Sequence, residues 1–343
     1  MKAVRIHEHG SLDVLKIDKI SVPKLEANKV LIKMKATSVN HLDLWVREGM
    51  PGLPIPFPRI LGCDGSGIIE EVGELVQGFS KGERVLIQSG ISCGTCEFCL
   101  TGKDHYCKSY QISGEHCDGF DSEFVSVLPQ NLIRIPDSMT FEEAAAIPLV
   151  FQTSYEMLVR KVKIKPNETV LVLGAGSGIG SASIQIAKAF GAKVIATGGS
   201  EDKLELAKNL GADFVVNHSE GFAKQVREIT GKKGVDVVVE HVGQATWKQS
   251  LSCLKNSGRL VTCGATTGFE VGLDLRFVFI KNYQIFGSTM GSKGDFFEIM
   301  RFFEQGKFKA VIHKTLPFTE VKEAHRILEN RESLGKVVLM FNE

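Results

Sequence analysis

Cys93, Cys96, Cys99 and Cys107 follow one another as C-x2-C-x2-C-x7-C in the stretch SCGTCEFCLTGKDHYC. Four thiolates at this spacing suit one tetrahedral zinc: soft sulfurs neutralise the dication, and tight turns bring them to one point. Gly94, Thr95, Thr101 and Gly102 supply turn-forming residues between them. A metal whose four positions are all taken by protein holds a loop together and leaves no opening for substrate. The expected metal is a single structural zinc.

A second cluster is made of glycines. Gly174-Ala175-Gly176-Ser177-Gly178-Ile179-Gly180 follows the apolar run TVLVL and opens the helical stretch IGSASIQIAKAF. Glycines between a strand and a helix permit a tight turn and close approach of a pyrophosphate. The helix N-terminus then offers free N–H groups and a positive dipole end. The pattern is G-x-G-x-G-x-G rather than the G-x-G-x-x-G fingerprint, so dinucleotide binding at Gly176, Ser177, Gly178 and Ile179 is expected from its place between strand and helix.

The following strand ends in ATGGSEDK. An acidic residue there would hold the adenosine ribose hydroxyls of NAD. Gly198 and Gly199 stand in its place, followed by Ser200 and Lys203, a hydroxyl and an ammonium suited to a 2′-phosphate. This favours NADP. NAD stays possible, because Glu201 and Asp202 are close by and the group also reads as a capped helix start. Ligands of parallel sheets sit at the carboxyl ends of strands. Those ends add His241 and Val242, then Gly264, Ala265 and Thr266, then Ser288 and Thr289 as cofactor contacts; glycines there also serve turn geometry.

The elements that must position these residues are legible in outline. From Thr169 the chain alternates strand and helix: TVLVL, IGSASIQIAKAF, KVIAT, EDKLELAKNL, DFVV, GFAKQVREIT, VDVVV. That rhythm predicts an α/β fold with a doubly wound parallel sheet. Up to about residue 150 the chain reads as short strands, such as VLIKMKA and RVLIQ, separated by Gly and Pro clusters. The tail reads as two helices and a last strand, KVVLMF. The expected division is a β-rich domain of residues 1–152 and 291–343 around a dinucleotide-binding domain of residues 153–290. The apolar runs RFVFI from Arg276 and YQIF from Tyr283 read as late strands that extend the sheet into a second subunit, or as simply buried.

The chain has 343 residues, more than one typical core takes. A net charge of +1 gives no reason to expect nucleic acid or an anionic membrane as partner. No apolar run reaches the ~18 residues of a membrane span, and MKAVRIHEHG does not read as a signal peptide. The eight cysteines are therefore expected as reduced thiols in a cytoplasmic protein.

Together, the cysteine lobe and the nucleotide-binding segment resemble the zinc-type medium-chain dehydrogenase/reductase superfamily, which includes zinc alcohol dehydrogenases and quinone oxidoreductases. The resemblance covers essentially the whole chain. It implies a GroES-like catalytic domain built from both chain ends, a Rossmann domain between, a small-molecule substrate and a homodimer or homotetramer. It also implies hydride transfer between nicotinamide and a carbonyl, alcohol, quinone or enone. Lys336 resembles a family position near the cofactor; otherwise it is a solvated lysine.

The zinc alcohol dehydrogenases hold a second, catalytic zinc. By resemblance its three ligand positions fall here at Asn40 in ATSVNHLD, Cys63 in LGCDGSG and near Leu149 in IPLVFQTSY. Asn and Leu are poor zinc ligands. Asn40 and Asp43 instead look like the zinc-free quinone oxidoreductases, which usually lack the cysteine lobe. Without a metal, the substrate oxygen needs organic donors: the Asn40 amide, His41 as donor or proton shuttle, and Asp43 orienting either. Plainer roles stand beside these, since Asn40 and Asp43 also suit the cap and first turn of the helix HLDLWVREG. Two other functions remain open: a zinc alcohol dehydrogenase with substitute ligands, and a dinucleotide-binding protein with little catalysis.

Overall fold

The computed structural model describes residues 1–52 and 54–341. It divides into two compact units, Met1–Leu149 with Lys309–Glu343, and Val150–Phe308.

The first unit is β-rich. Its largest sheet runs in the order Leu132–Arg134, Arg84–Gln88, Asp64–Val72, Val30–Val39, Lys336–Met340, Ile312–Pro317, with Phe124–Val127 also paired to Val30–Val39. The long strand Val30–Val39 faces a core of Ile32, Met34, Val85, Ile87, Val337 and Leu339. The last strand of the chain pairs antiparallel to it, Val337 opposite Val39. This register brings Lys336 to the point where Val30–Val39 ends and the helix His41–Glu48 begins.

The second unit carries six parallel strands, in the order Phe214–Asn217, Lys193–Gly198, Thr169–Val172, Val235–Glu240, Leu254–Thr262, Gln284–Gly287. Numbered along the chain this order is 3-2-1-4-5-6, the Rossmann arrangement, whose order reverses between the first and fourth strands. Both sheet faces are covered, so the strands read as continuous apolar runs; Val237, Val238, Val239, Leu171 and Ile195 are fully buried.

Two expectations need correction. RFVFI is not a strand: Leu275–Lys281 is a helix. Asp274 caps it, accepting the Arg276 N–H at 3.0 Å, and Asn282 ends it in the left-handed conformation. Cap chemistry decides here over a β-branched and aromatic composition. The segment 291–308 lies in the second unit rather than with the chain ends. Its helix Lys293–Glu304 buries Phe296, Ile299 and Met300, Phe303 meets Phe151 edge-on at 4.8 Å, and Gln152 Nε2 donates to Gly291 O at 2.9 Å.

Candidate functional site

The cysteine lobe is assembled. The Sγ atoms of Cys93, Cys96, Cys99 and Cys107 all lie within 4.8 Å of one another, with Cys93–Cys99 at 3.8 Å and Cys96–Cys99 at 3.5 Å. Four sulfurs about 2.3 Å from a zinc stand about 3.8 Å apart, so this set fits the metal. Backbone and hydroxyl donors of Thr95 pull the Cys93 thiol down to about 6, toward the thiolate a metal needs. Cys96 caps a short helix, and its N–H donates to Cys93 Sγ at 3.4 Å. His116 is loop structure: its Nδ1 accepts the Ile112 N–H at 3.2 Å.

In the second unit the glycine turn stands at the end of the central strand. Gly174 has a φ of +58, Ser177 caps the helix Gly178–Ala189, and its Oγ accepts the Gly180 N–H at 2.9 Å. A Cβ on Gly180 would lie 2.2 Å from Gly174 O, and one on Gly176 would lie 2.8 Å from Lys203 Cγ. The Lys203 stem therefore passes directly over the loop. Gly198 ends the neighbouring strand beside Lys203, and a Cβ on Gly199 would lie 2.9 Å from His218 Nε2. Lys203, Ser200 and His218 thus gather around a strand end that carries no carboxylate. His218 sits in a connector after the third strand, and nothing in its sequence neighbourhood marks it.

The other strand ends converge on the same side. His241 donates from Nε2 to Leu173 O at 2.8 Å and packs on Gly174; burial holds its basicity below the usual range. The Val242 carbonyl accepts from Thr267 N and Oγ1, and Gln244 N donates to Gly268 O, so the loops holding Val242 and Gly264-Ala265-Thr266 are zipped together. Glu240 is absorbed by its own loop: it accepts from Val242 N, Gly243 N, Thr246 Oγ1 and Ser250 Oγ. Ser288 is buried with no hydrogen-bond partner for Oγ among the described residues, whereas neighbouring Thr289 is exposed. Thr153, in the helix Pro148–Tyr155, has a buried Oγ1 in the same condition, and the next residue, Ser154, donates to Ile179 O at 3.3 Å. Orphaned buried hydroxyls and a loop too tight for a Cβ fit a bound dinucleotide.

The first unit holds a buried polar centre at Asn40. The amide nitrogen donates to Asp64 Oδ2 at 2.8 Å and rests 3.3 Å from Cys63 Sγ; the amide oxygen accepts from Lys336. Lys336 Nζ also donates to Val39 O and to Asp64 Oδ2, each at 3.1 Å. Asp64 Oδ1 accepts the Leu149 N–H at 2.8 Å, and Ser38 Oγ lies 3.3 Å from Oδ2 while donating to Ala145 O. Asp43 accepts the Asn40 N–H at 2.7 Å with one oxygen and the Gly62 N–H at 3.1 Å with the other. It orients Asn40 through the backbone N–H. His41 is half-buried, its ring 6.4 Å from that of Trp45. Burial, then Asp43 and Asp64, push the Cys63 thiol well above its ordinary range.

Comparison with known proteins agrees with this division. Residues 26–137 match the family model for the alcohol dehydrogenase GroES-like domain, and residues 178–305 that for zinc-binding dehydrogenase. The chain is 36% identical to the NAD-dependent alcohol dehydrogenase of Saccharolobus solfataricus, over 99% of this chain and 100% of that one. It is 31% identical to human (Homo sapiens) quinone oxidoreductase, over 99% and 98%. A crystal structure of an NAD-dependent alcohol dehydrogenase superposes with a TM-score of 0.97 at 46% identity, covering 100% of both chains.

The chain belongs to the zinc-type medium-chain dehydrogenase/reductase superfamily. It is accordingly a nicotinamide-dependent oxidoreductase. Of the two metals known in this superfamily, the lobe fits the structural one by number, distance and chemistry of its donors. The centre at Asn40 does not fit the catalytic one. A neutral amide, a thiol held protonated by burial and a backbone N–H at Leu149 replace the ligands, and an ammonium already engages the carboxylate. The candidate catalytic residues read from the sequence, Asn40, His41 and Asp43, do not include Asp64, which the structure places at the middle of this superfamily member's polar centre. It is fully buried and joins Asn40, Lys336 and Leu149, three stretches far apart in the chain.

Proposed function

We propose that this enzyme transfers hydride from NADPH to an apolar ketone, aldehyde, quinone or conjugated enone without a catalytic zinc. The observation that carries the reading is the hydrogen-bonded set Asn40–Asp64–Lys336, in which an amide and an ammonium engage the carboxylate beside Cys63. When bound, the nicotinamide supplies the hydride. One Asn40 N–H is committed to Asp64, while the other is shared between Cys63 Sγ at 3.3 Å and Ser38 O at 3.4 Å, weak contacts that a substrate oxygen can displace. His41, one residue along, is the group suited to deliver the proton that completes reduction. Gly176, Ser177, Gly178 and Ile179 receive the pyrophosphate. His241, Val242, Gly264, Ala265, Thr266, Ser288 and Thr289 border the rest of the cofactor.

Preference for NADP is supported by Gly198, Ser200, Lys203 and His218 at a strand end without an acid. The names of relatives support NAD as the second reading. Initial rates with NADPH and NADH against a panel of ketones, quinones and enones test both points. Absence of oxidation of either cofactor would leave a binding protein.

A second copy of the chain is the partner we infer. The strand Gln284–Gly287 is a sheet edge, and beside it Leu275, Phe277, Phe279 and Ile280 are exposed, Phe279 to 67%. An open edge next to an apolar helix face is suited to pairing with its own twin. Among the described residues no helix is long and apolar enough to cross a membrane. A cytoplasmic location, where the lobe's thiols stay reduced, completes the proposal.

A further inference from the structure

We propose that Lys336 is a built-in cation at the Asn40 centre, a positioning residue that orients the Asn40 amide and keeps a divalent metal out. This rests on the zinc-free reading above and adds the group responsible for it.

Lys336 is 4% exposed and Asp64 fully buried, so neither charge is placed there for solubility. A buried ammonium persists only when its donors are paired. Nζ has three N–H groups and meets three oxygens: Val39 O, Asn40 Oδ1 and Asp64 Oδ2. Its hydrogen-bonding capacity is filled.

That saturation has a directional consequence. An ammonium is a donor only, so the Asn40 side chain must face it with oxygen. The amide NH2 is thereby turned toward Cys63 Sγ and Asp64 Oδ2. Turning the amide over would set NH2 against the ammonium and oxygen against a carboxylate. Lys336 therefore determines which face of Asn40 a substrate oxygen meets, without touching that oxygen.

It has an electrostatic consequence as well. Among the described residues Asp64 is the one carboxylate hydrogen-bonded to Asn40's side chain, and it is paired with the Lys336 ammonium. A divalent ion entering here would face an ammonium at close range in a poorly screened interior. The lysine reaches this point because the last strand pairs with Val30–Val39 in a register that puts Val337 opposite Val39.

The test is Co2+ uptake by the purified holoenzyme, read as metal per chain and as thiolate-to-cobalt absorption. Wild type is expected to take no ion beyond that of the cysteine lobe. Lys336→Met removes the ammonium from Asp64, and is expected to bind a second Co2+ roughly 100-fold more tightly than wild type, an increment abolished by adding Cys63→Ser. A second ion in wild type that Cys63→Ser removes, or a folded Lys336→Met with no gain, overturns the proposal. If Lys336→Met fails to fold, the charge-neutral pair Lys336→Met with Asp64→Asn takes its place. That variant is expected to keep its NADPH KM while kcat drops roughly tenfold, and unchanged kcat overturns the positioning role. Cobalt uptake is read without any substrate, so an enzyme inactive toward every carbonyl and quinone would refute the proposed function while leaving this result standing.

Discussion

Asp43 ties Asn40 to Gly62: its carboxylate accepts one backbone N–H from each, at 2.7 and 3.1 Å. The helix start that carries Asn40 is thereby fixed to the turn that carries Cys63 and Asp64. Two N–H donors favour an ionised carboxylate, but burial, reinforced by Asp121, outweighs them and pushes Asp43 up to about 8. Asp121 is held at about 6, by burial first and also by Asp64.

These acids predict a stability profile. An acid whose folded pKa exceeds its unfolded value of about 4 contributes stability below that value and loses it as pH rises through the folded pKa. The native state binds more protons across the window, so stability falls from about pH 4 to about pH 8. Asp43→Asn is expected to cost about 1–3 kcal/mol in acid and to flatten the slope. Urea midpoints measured across that range are the check, and an unaltered slope in the variant would count against this account.

Asn40→Ala is expected to lower kcat by roughly 100-fold while leaving the NADPH dissociation constant in place. Fluorescence titration of cofactor alongside steady-state rates separates the two effects. Equal turnover would remove Asn40 from the chemistry.

Lys203 lies over Gly176 and beside Gly198. Lys203→Ala is expected to weaken NADPH by roughly tenfold and NADH hardly at all, since only the former carries the 2′-phosphate. An equal loss for both cofactors would show a role in the loop alone.

Cys96→Ser is expected to release the lobe's zinc and to expose the segment 92–107, with Lys103 inside it, to trypsin. Metal analysis of the wild type should give one zinc per chain. Undiminished zinc in the variant would contradict the four-cysteine assignment.

Ile280→Asp adds a charge to the exposed face of the helix Leu275–Lys281, where Ile280 is 66% exposed. Sedimentation should show the oligomer dissociating with the fold intact. A wild type that already sediments as a monomer refutes the pairing at this edge.

The sequence by itself determined the zinc lobe, the strand–helix alternation and the glycine turn. Each is written in short-range spacing, because cysteines three apart or glycines two apart meet through local turns whatever the rest of the chain does. Local spacing failed at Leu275–Lys281, where composition reads as strand but a capping aspartate and a left-handed asparagine make a helix. It failed again at 291–308, which packs on Phe151 and Gln152, far back in the chain. Tertiary structure alone decided the centre at Asn40. Lys336, Asp64 and Leu149 are separated by long stretches of sequence, and only the pairing of the last strand with Val30–Val39 delivers the ammonium to the carboxylate. A pattern of residue types cannot encode that meeting, because the partners of a buried charge are set by sheet register rather than by neighbours along the chain.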